Sequence, residues 1–263
     1  MNPRSSSPRV RPVPAVTRAV AILRLLSRSR APLGVKAIAD QLGLVPSTAL
    51  HILRALVVEQ LLRVDPDTKH YSLGVGMLPL ARAVLEQADF PRLVQPLLEV
   101  LTQRYGVTAI GVAVPDLDHM VVVTLARAQA PVRLHVDVGS RFPALISATG
   151  RCVAAFTDRP WNEIETRFRA LRWHNAPSLE TWRREVEAVR RQGYSIDRGN
   201  YIAGVTIVAV PVLDARGIIT HTLVAVGLGS QLGRSPAVAL ARDMQAAARE
   251  LSGQMFPQGQ PAA

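Results

Sequence analysis

The side chains best suited to chemistry in this sequence are two hydroxyls, an imidazole and a guanidinium within residues 46–57. They are Ser47, Thr48, His51 and Arg54, at spacings of three and four. On a helix this spacing puts them on one side, opposite a stripe of apolar residues. Hydroxyls near a helix N-terminus suit phosphate, because the free amides and the helix dipole already favour anions there. His51 and Arg54 are long enough to reach base edges, and arginine offers guanine a pair of donors.

The elements around this helix predict a winged helix-turn-helix. Residues 35–42 read as an amphipathic helix, and Gly43 follows where a left-handed turn ends it. Pro46 suits the first turn of the next helix, and residues 61–74 predict a wing of two short strands. Further DNA contacts are expected from the basic residues Arg18, Lys36, Lys69 and His70. A helical hairpin with a solvated polar face is the alternative, but the wing and the turn glycine together favour DNA binding.

The charge of the chain is concentrated at the same end. The formal net charge is +11, and residues 1–80 hold eleven Lys and Arg against four Asp and Glu. This balance favours nucleic acid as a partner. We expect residues 1–14 to form a disordered basic arm, with a solvated tail of no function as the alternative. Residues 257–263 are expected to be a disordered tail.

The cysteine count and the hydropathy of the sequence indicate where in the cell the protein is expected. Cys152 is the only cysteine, so no disulfide framework can form within the chain, and a cytoplasmic location is expected. No apolar run reaches the length that spans a membrane, and we expect no membrane partner.

The remainder of the chain predicts a second domain of strands and helices. With 263 residues, two domains are expected: a DNA-binding domain at 15–76 and a larger one at 91–256, joined by a linker helix at 77–90. Apolar segments bounded by turn residues predict strands, including one at 133–137, with helices between them. Strands, then helices, then strands indicate an α+β domain with an antiparallel sheet.

A small-residue segment in this domain suggests an anion site. Ala148, Thr149 and Gly150 precede a helix predicted to start at Arg151, and small side chains leave backbone amides open to a carboxylate. Asp197 is predicted in a polar loop, where it either accepts a hydrogen bond from a ligand hydroxyl or caps a turn.

Four short motifs occur in a characteristic order. They are Pro-Ser-Thr at 46–48, Ala-Thr-Gly-Arg at 148–151, Gly-Tyr-Ser-Ile-Asp at 193–197 and Ala-Val-Pro-Val at 209–212. Together they resemble the IclR family of bacterial transcriptional regulators over nearly the whole chain. The resemblance implies paired winged domains on a double-stranded DNA operator, in a homodimer or a dimer of dimers. It also implies a GAF-like C-terminal domain that binds a small carboxylic acid effector, with Asp197 at its pocket.

The chain departs from the family pattern at the expected pocket. Ile207 stands where several members have a cysteine or a small polar residue, and Val224 and Val226 stand where hydroxyls are common. These side chains cannot pair with a small polar acid, so an aromatic or otherwise fairly apolar acid is expected. His51 stands where the family often has arginine, so the operators of relatives are not expected to transfer.

Catalysis is not expected. The six histidines show no metal-ligand spacing, no glycine-rich phosphate loop occurs, and Cys152 lies in an apolar run typical of a core residue. No cofactor is predicted, and the expected function is a DNA-binding transcriptional regulator controlled by its effector. A DNA-binding architectural protein without a ligand is the alternative, although such a protein does not require the apolar-strand domain.

Overall fold

The computed structural model describes residues 13–87, 89–128 and 136–256. Most of the predicted N-terminal arm, the predicted tail at 257–263 and most of the predicted strand at 133–137 lie outside the described residues. The chain divides into two compact units, Met1–Gln87 and Ala88–Ala263.

The first unit is a winged helix-turn-helix. Its elements are α1 (Pro14–Arg28), α2 (Val35–Leu42), α3 (Pro46–Val58), β1 (Leu62–Val64), β2 (Tyr71–Leu73) and α4 (Met77–Gln87). Gly43 ends α2 in the left-handed conformation with φ +61°, as its position predicted. Strands β1 and β2 pair antiparallel. The core of this unit is formed by Ile22, Leu26, Ile38, Leu53, Leu56, Leu62 and Tyr71.

Helix α4 has no buried side chain among its described residues. Leu78, Leu80 and Val84 expose 68%, 57% and 68% of their surface. A helix of eleven residues with its apolar side chains in water is marginal without a covering partner. An exposed apolar surface of this kind is suited to contact with another protein chain.

The second unit is a three-layer α+β domain. Its elements are α5 (Asp89–Tyr105), β3 (Thr108–Ala113), β4 (His119–Ala126), β5 (Arg141–Pro143), α6 (Ser147–Phe156), α7 (Trp161–Arg169), α8 (Leu179–Gln192), β6 (Ser195–Arg198), β7 (Val205–Leu213), β8 (Ile219–Leu228) and α9 (Arg234–Met255). The antiparallel sheet has the order β5-β4-β3-β8-β7-β6. Helices α5 and α9 pack on one face, and α6, α7 and α8 on the other. The predicted fold class is confirmed.

Strand β7 shows why both faces of the sheet must be covered. All of its residues from Val205 to Val212 are buried. Ile207 belongs to the core beneath α6, whereas Val208 belongs to the core beneath α5 and α9. Because successive side chains point to opposite faces, a continuous apolar run is the expected pattern for such a strand.

Two local predictions are wrong. Residues 148–150 are not a loop before a helix at Arg151, because α6 begins at Ser147 and the Gly150 amide donates to the Ile146 carbonyl at 2.8 Å. Their small size serves close packing instead: a Cβ at Gly150 would lie 1.9 Å from the Leu145 carbonyl carbon. Asp197 lies in the edge strand β6 and not in a loop. The polar sequence of β6 is compatible with an edge, where only one neighbour is paired.

Candidate functional site

The N-terminal end of α3 presents an open set of polar groups. Ser47, His51 and Arg54 are exposed and Thr48 is half-buried. No side chain caps this helix end. Within the part of the chain that the structure describes, none of these four side chains has a hydrogen-bond or ion-pair partner of its own. The helix therefore offers free amides, two hydroxyls, an imidazole and a guanidinium to an external ligand.

The apolar side of α3 fixes the direction in which this polar face points. Ala49, Leu53 and Leu56 are buried, as the stripe predicted, and Leu53 and Leu56 pack in the core with Ile22 and Ile38. A recognition helix must pack firmly on the core of its domain, because the side chains that contact bases have to be held in register with the DNA groove.

The wing turn is tightly built around one carboxylate. Asp65 Oδ1 accepts hydrogen bonds from the Thr68 amide at 2.8 Å, the Thr68 hydroxyl at 2.9 Å and the Asp67 amide at 3.1 Å. These bonds, led by the Thr68 amide, lower the pKa of Asp65. Lys69 has φ +56°, and its Nζ donates to the Pro66 carbonyl at 2.5 Å. An ammonium has three donors, so two of them remain for a phosphate.

The other predicted contacts lie on exposed surface of the same unit. Arg18, Lys36 and His70 are exposed. Sequence reasoning missed Arg63, which is also exposed, on β1. Its Nε donates to Ser72 Oγ at 2.8 Å and leaves the two terminal nitrogens of the guanidinium free. The alternation of the wing strands, with Leu62 buried and Arg63 exposed, was the signal for it.

The second unit contains a cavity of about 80 Å³ between α6 and the sheet. Its lining residues are Ile110, Val112, Met120, Val136, Phe142, Ile146, Ser147, Thr149, Tyr201, Ile202, Ile207, Val224 and Val226. Of the residues predicted for the effector, the structure brings Thr149, Ile207, Val224 and Val226 together here. Ala148, Gly150 and Asp197 do not line this cavity.

The accessible surface of the cavity is apolar, although polar residues of the first turn of α6 belong to its lining. Ser147 lines the wall with φ +61°, and its hydroxyl is buried without a hydrogen-bond partner. No side chain caps this helix end, where the amides of the first turn begin. A left-handed serine is an uncommon and strained conformation. The combination leaves an anion-favouring helix end beside an otherwise apolar space.

Tyr201 and Ile202, which sequence reasoning missed, form another part of the wall. Tyr201 is half-buried, and burial raises the pKa of its hydroxyl. Both residues lie in the irregular segment between β6 and β7, which carried no periodicity that could have placed them.

Asp197 pairs with a cavity-lining residue but does not line the cavity itself. It pairs with Ile207 across β6 and β7, so both side chains lie on the α6 face of the sheet. Asp197 Oδ1 accepts a hydrogen bond from the Asn200 amide at 2.8 Å, and Oδ2 lies 3.7 Å from Arg151 Nη1. The hydrogen bond to Oδ1 is a turn cap, one of the two roles that the sequence left open, while Oδ2 is buried without a hydrogen-bond partner.

The described residues offer little to metal binding or nucleophilic catalysis. Among the residues that the structure describes, no group of three or more His, Cys, Asp and Glu side chains could hold a metal ion. The Cys152 thiol is buried 3.5 Å from the Ala209 carbonyl oxygen, and burial raises its pKa far above the ordinary range. A neutral thiol in the core is not a nucleophile. Over the described ranges no single helix could span a membrane, and only α2 and α3 taken together, bent by 114°, have the length and composition for it.

Comparison with known proteins decides the family. The model of the IclR C-terminal domain of bacterial transcriptional regulators matches residues 82–253, and that of the IclR helix-turn-helix domain matches residues 15–66. The chain belongs to the IclR family of bacterial transcriptional regulators. An IclR regulator combines a DNA-binding helix-turn-helix with a C-terminal effector domain, and the proteins matched are regulators and not enzymes.

Individual IclR relatives match over most of their length. The HTH-type transcriptional regulator RhmR of Escherichia coli is 29% identical, with 91% of this chain and 92% of that protein covered. The crystal structure of an IclR regulator from Alicyclobacillus acidocaldarius has a TM-score of 0.81 at 27% identity, covering 92% of this chain and 99% of the other. An IclR homolog from Microbacterium hydrocarbonoxydans, complexed with 4-hydroxybenzoate, shares the fold with a TM-score of 0.74 at 22% identity, covering 91% and 99%.

Proposed function

We propose that this IclR regulator reads a double-stranded DNA operator with the polar face of α3 and holds the flanking phosphates with its wing. The observation that carries the proposal is the set of side chains at the start of α3 that are free of partners in the described unit. Ser47, Thr48 and the α3 amides suit phosphate, whereas His51 and Arg54 suit base edges. The predicted positions Arg18, Lys36, Pro46, Lys69 and His70 remain part of this proposed interface.

The effector is proposed to be an aromatic or similarly apolar carboxylic acid. Ile207, Val224 and Val226 offer apolar surface to its body. Its carboxylate is proposed to meet the uncapped first turn of α6 and the unpartnered Ser147 hydroxyl, which are buried beside the cavity and are reached when its wall moves. The structural relative from Microbacterium hydrocarbonoxydans was crystallised with an acid of this class, 4-hydroxybenzoate. A two- or three-carbon acid would bury its polar groups against these side chains, which cannot form hydrogen bonds with them.

A homodimer is the proposed assembly, with a dimer of dimers as its extension. The support lies in exposed apolar side chains of the DNA-binding unit, on α4 and also on α1, where Val16 exposes 60% of its surface. A covering copy would remove this surface from water, and two copies would present two recognition helices to two half-sites.

Effector binding is proposed to change operator affinity, with residues 77–90 as the linker between a DNA-binding domain at 15–76 and an effector domain at 91–256. Allosteric coupling is typically worth about 1–3 kcal/mol, which corresponds to about 5- to 150-fold in affinity. The cytoplasm is the proposed location, since the operator is there.

Two binding measurements test the proposal. Fluorescence anisotropy on the DNA upstream of the gene should show weaker binding for His51→Ala and Arg54→Ala, whereas Arg191→Ala, at an exposed arginine of α8, should bind as the unmodified protein does. Calorimetric titration should show binding of aromatic acids that Val224→Phe removes, because the larger side chain fills the cavity of about 80 Å³. Equal, salt-sensitive binding to a scrambled duplex and no heat from any acid would leave a ligand-independent architectural protein.

A further inference from the structure

A buried guanidinium connects two walls of the effector cavity. Arg151 lies one turn after Ser147 in α6, and its side chain is 2% exposed. Its Nη1 donates to the Ser147 carbonyl at 3.0 Å, and its Nε donates to Glu185 Oε2 in α8 at 2.6 Å. Its Nη2 donates to the side-chain oxygen of Asn200 at 3.2 Å. Asn200 precedes Tyr201 and Ile202, so one side chain links the α6 wall to the wall beyond β6.

Asn200 makes several hydrogen bonds that position the wall formed by Tyr201 and Ile202. Its amide donates to Asp197 Oδ1 at 2.8 Å, and its carbonyl accepts from the Asn175 amide at 2.8 Å. Its side-chain nitrogen donates to the Asn175 carbonyl at 3.1 Å. In the described chain, by contrast, the amides of Tyr201 and Ile202 donate to no backbone or side-chain acceptor. The Ile202 carbonyl accepts a hydrogen bond from the Val205 amide at 3.3 Å, so Asn200 makes most, but not all, of the hydrogen bonds that position this wall.

The same segment is bounded by two residues suited to movement. Gly199 has φ +82° and Gly204 has φ +73°, in the left-handed region that glycine enters without strain. Between them lie only residues 200–203, which carry the two wall residues. A short irregular segment between such glycines can change its φ and ψ angles while the flanking strands stay in place.

The size of the cavity requires a wall to move. The space measures about 80 Å³. An engineered cavity that binds benzene measures about 150 Å³, so an aromatic acid needs more room than this one offers. The floor is the sheet and the opposite wall is α6, and both are fixed by dense packing. The segment 200–203 belongs to no helix or strand, and its hydrogen bonds are made by Asn200 and by the Ile202 carbonyl.

We infer that residues 199–204 form a lid over the effector cavity, and that Arg151 and Asn200 are its latch. The inference rests on the proposed effector function of this cavity. In this arrangement the lid opens by release of the Asn200 side chain from Arg151, and the acid enters as Tyr201 and Ile202 swing away. Arg151 and Asn200 act as positioning residues and do not touch the ligand.

The test measures opening without any ligand, through the alkylation rate of a thiol in the cavity. The reporter is Val224→Cys on the sheet floor, in the full-length chain with Cys152→Ala, and the reagent is iodoacetamide. Asn200→Ala removes the latch, Asn200→Asp keeps an acceptor for Arg151, and Asn162→Ala on α7 is a matched control at an exposed asparagine. The unaltered Cys152, buried in the core in the chain without the reporter, reports general unfolding under the same conditions.

Loss of a hydrogen bond to a charged group corresponds to about tenfold to hundredfold in the opening equilibrium. We expect Asn200→Ala to raise the alkylation rate of the reporter by about tenfold or more, and to leave that of Cys152 unchanged. In the Asn200→Asp and Asn162→Ala variants, the reporter thiol should be alkylated at about the same rate as in the reporter chain with Asn200 and Asn162 unchanged. An unchanged reporter rate in Asn200→Ala, or an equal rise at Cys152, overturns the lid.

The result is independent of the effector proposal. A fast reporter in Asn200→Ala, together with no binding of aromatic acids, would refute the proposed effector and keep the lid. Bound acids with an unchanged reporter rate would refute the lid and keep the effector.

Discussion

Acid should destabilise the effector domain through one half-buried histidine. His221 lies on β8, stacked on Phe90 with ring centroids 4.1 Å apart and 23° between the ring planes. Its Nδ1 lies 3.0 Å from Thr220 Oγ1. Burial lowers the pKa of His221 from 6.5 to about 4. The fold therefore disfavours the protonated imidazole.

The direction and the size of this pH effect on stability follow from the pKa values of His221 in the unfolded and the folded chain. The pKa of His221 is lower in the folded chain than in the unfolded one. Its contribution to the free energy of unfolding is therefore complete above pH 6.5 and is lost as the pH falls toward 4. The difference between the two values corresponds to about 3 kcal/mol, and partial solvent access of the ring reduces this to about 2–3 kcal/mol.

The assay is urea unfolding between pH 7.5 and 4, followed by tryptophan fluorescence. All three tryptophans, at positions 161, 173 and 182, belong to the same unit as His221, so the signal reports that domain. His221→Gln should lose less stability on acidification than the unmodified chain, by about 2–3 kcal/mol. His174→Gln, at an exposed histidine of the same unit, should follow the unmodified chain. Carboxylates contribute equally to all three chains and cancel. Identical slopes for His221→Gln and the unmodified chain would refute the reasoning.

Three further predictions concern DNA, packing and assembly. Arg54→Ala should cost about 1–3 kcal/mol on the operator and less on scrambled DNA by anisotropy, whereas an equal loss on both duplexes would make Arg54 a phosphate contact. Gly150→Ala should destabilise the effector domain by more than about 3 kcal/mol in urea, because its Cβ meets backbone at 1.9 Å, whereas Gly253→Ala in α9, with nothing within 4 Å, should be neutral or stabilising. Val84→Asp on α4 should shift the mass measured by sedimentation toward the monomer, and Val100→Asp, 60% exposed on α5, should not; an unchanged mass would exclude α4 from the interface.

The parts of the structure set by local periodicity could be predicted from the sequence. The stripe of Ala49, Leu53 and Leu56 predicted which side of α3 is buried, and the polar remainder is the exposed face. Such a pattern depends only on the geometry of a single helix. Val224 and Val226 were expected at the pocket from the family resemblance and not from a local pattern, and both residues line the cavity.

The parts set by tertiary contact could not be predicted in this way. Small residues at 148–150 suggest a loop open to a ligand, but Gly150 is small because the Leu145 backbone lies against it. The burial of Arg151 depends on partners at 185, 197 and 200, which no local pattern brings together. An arginine in a helix is ordinarily solvated, so its place behind the cavity is visible only in the fold.

Control of operator binding by an acid in the effector cavity can be measured directly. The measurement is the anisotropy of a labelled operator duplex titrated with the protein at fixed salt, with and without saturating 4-hydroxybenzoate and related aromatic acids. We expect at least one aromatic acid to change the operator Kd by about 5- to 150-fold, and Val224→Phe to keep DNA binding but lose the response. Specific operator binding that no aromatic acid changes would contradict this expectation.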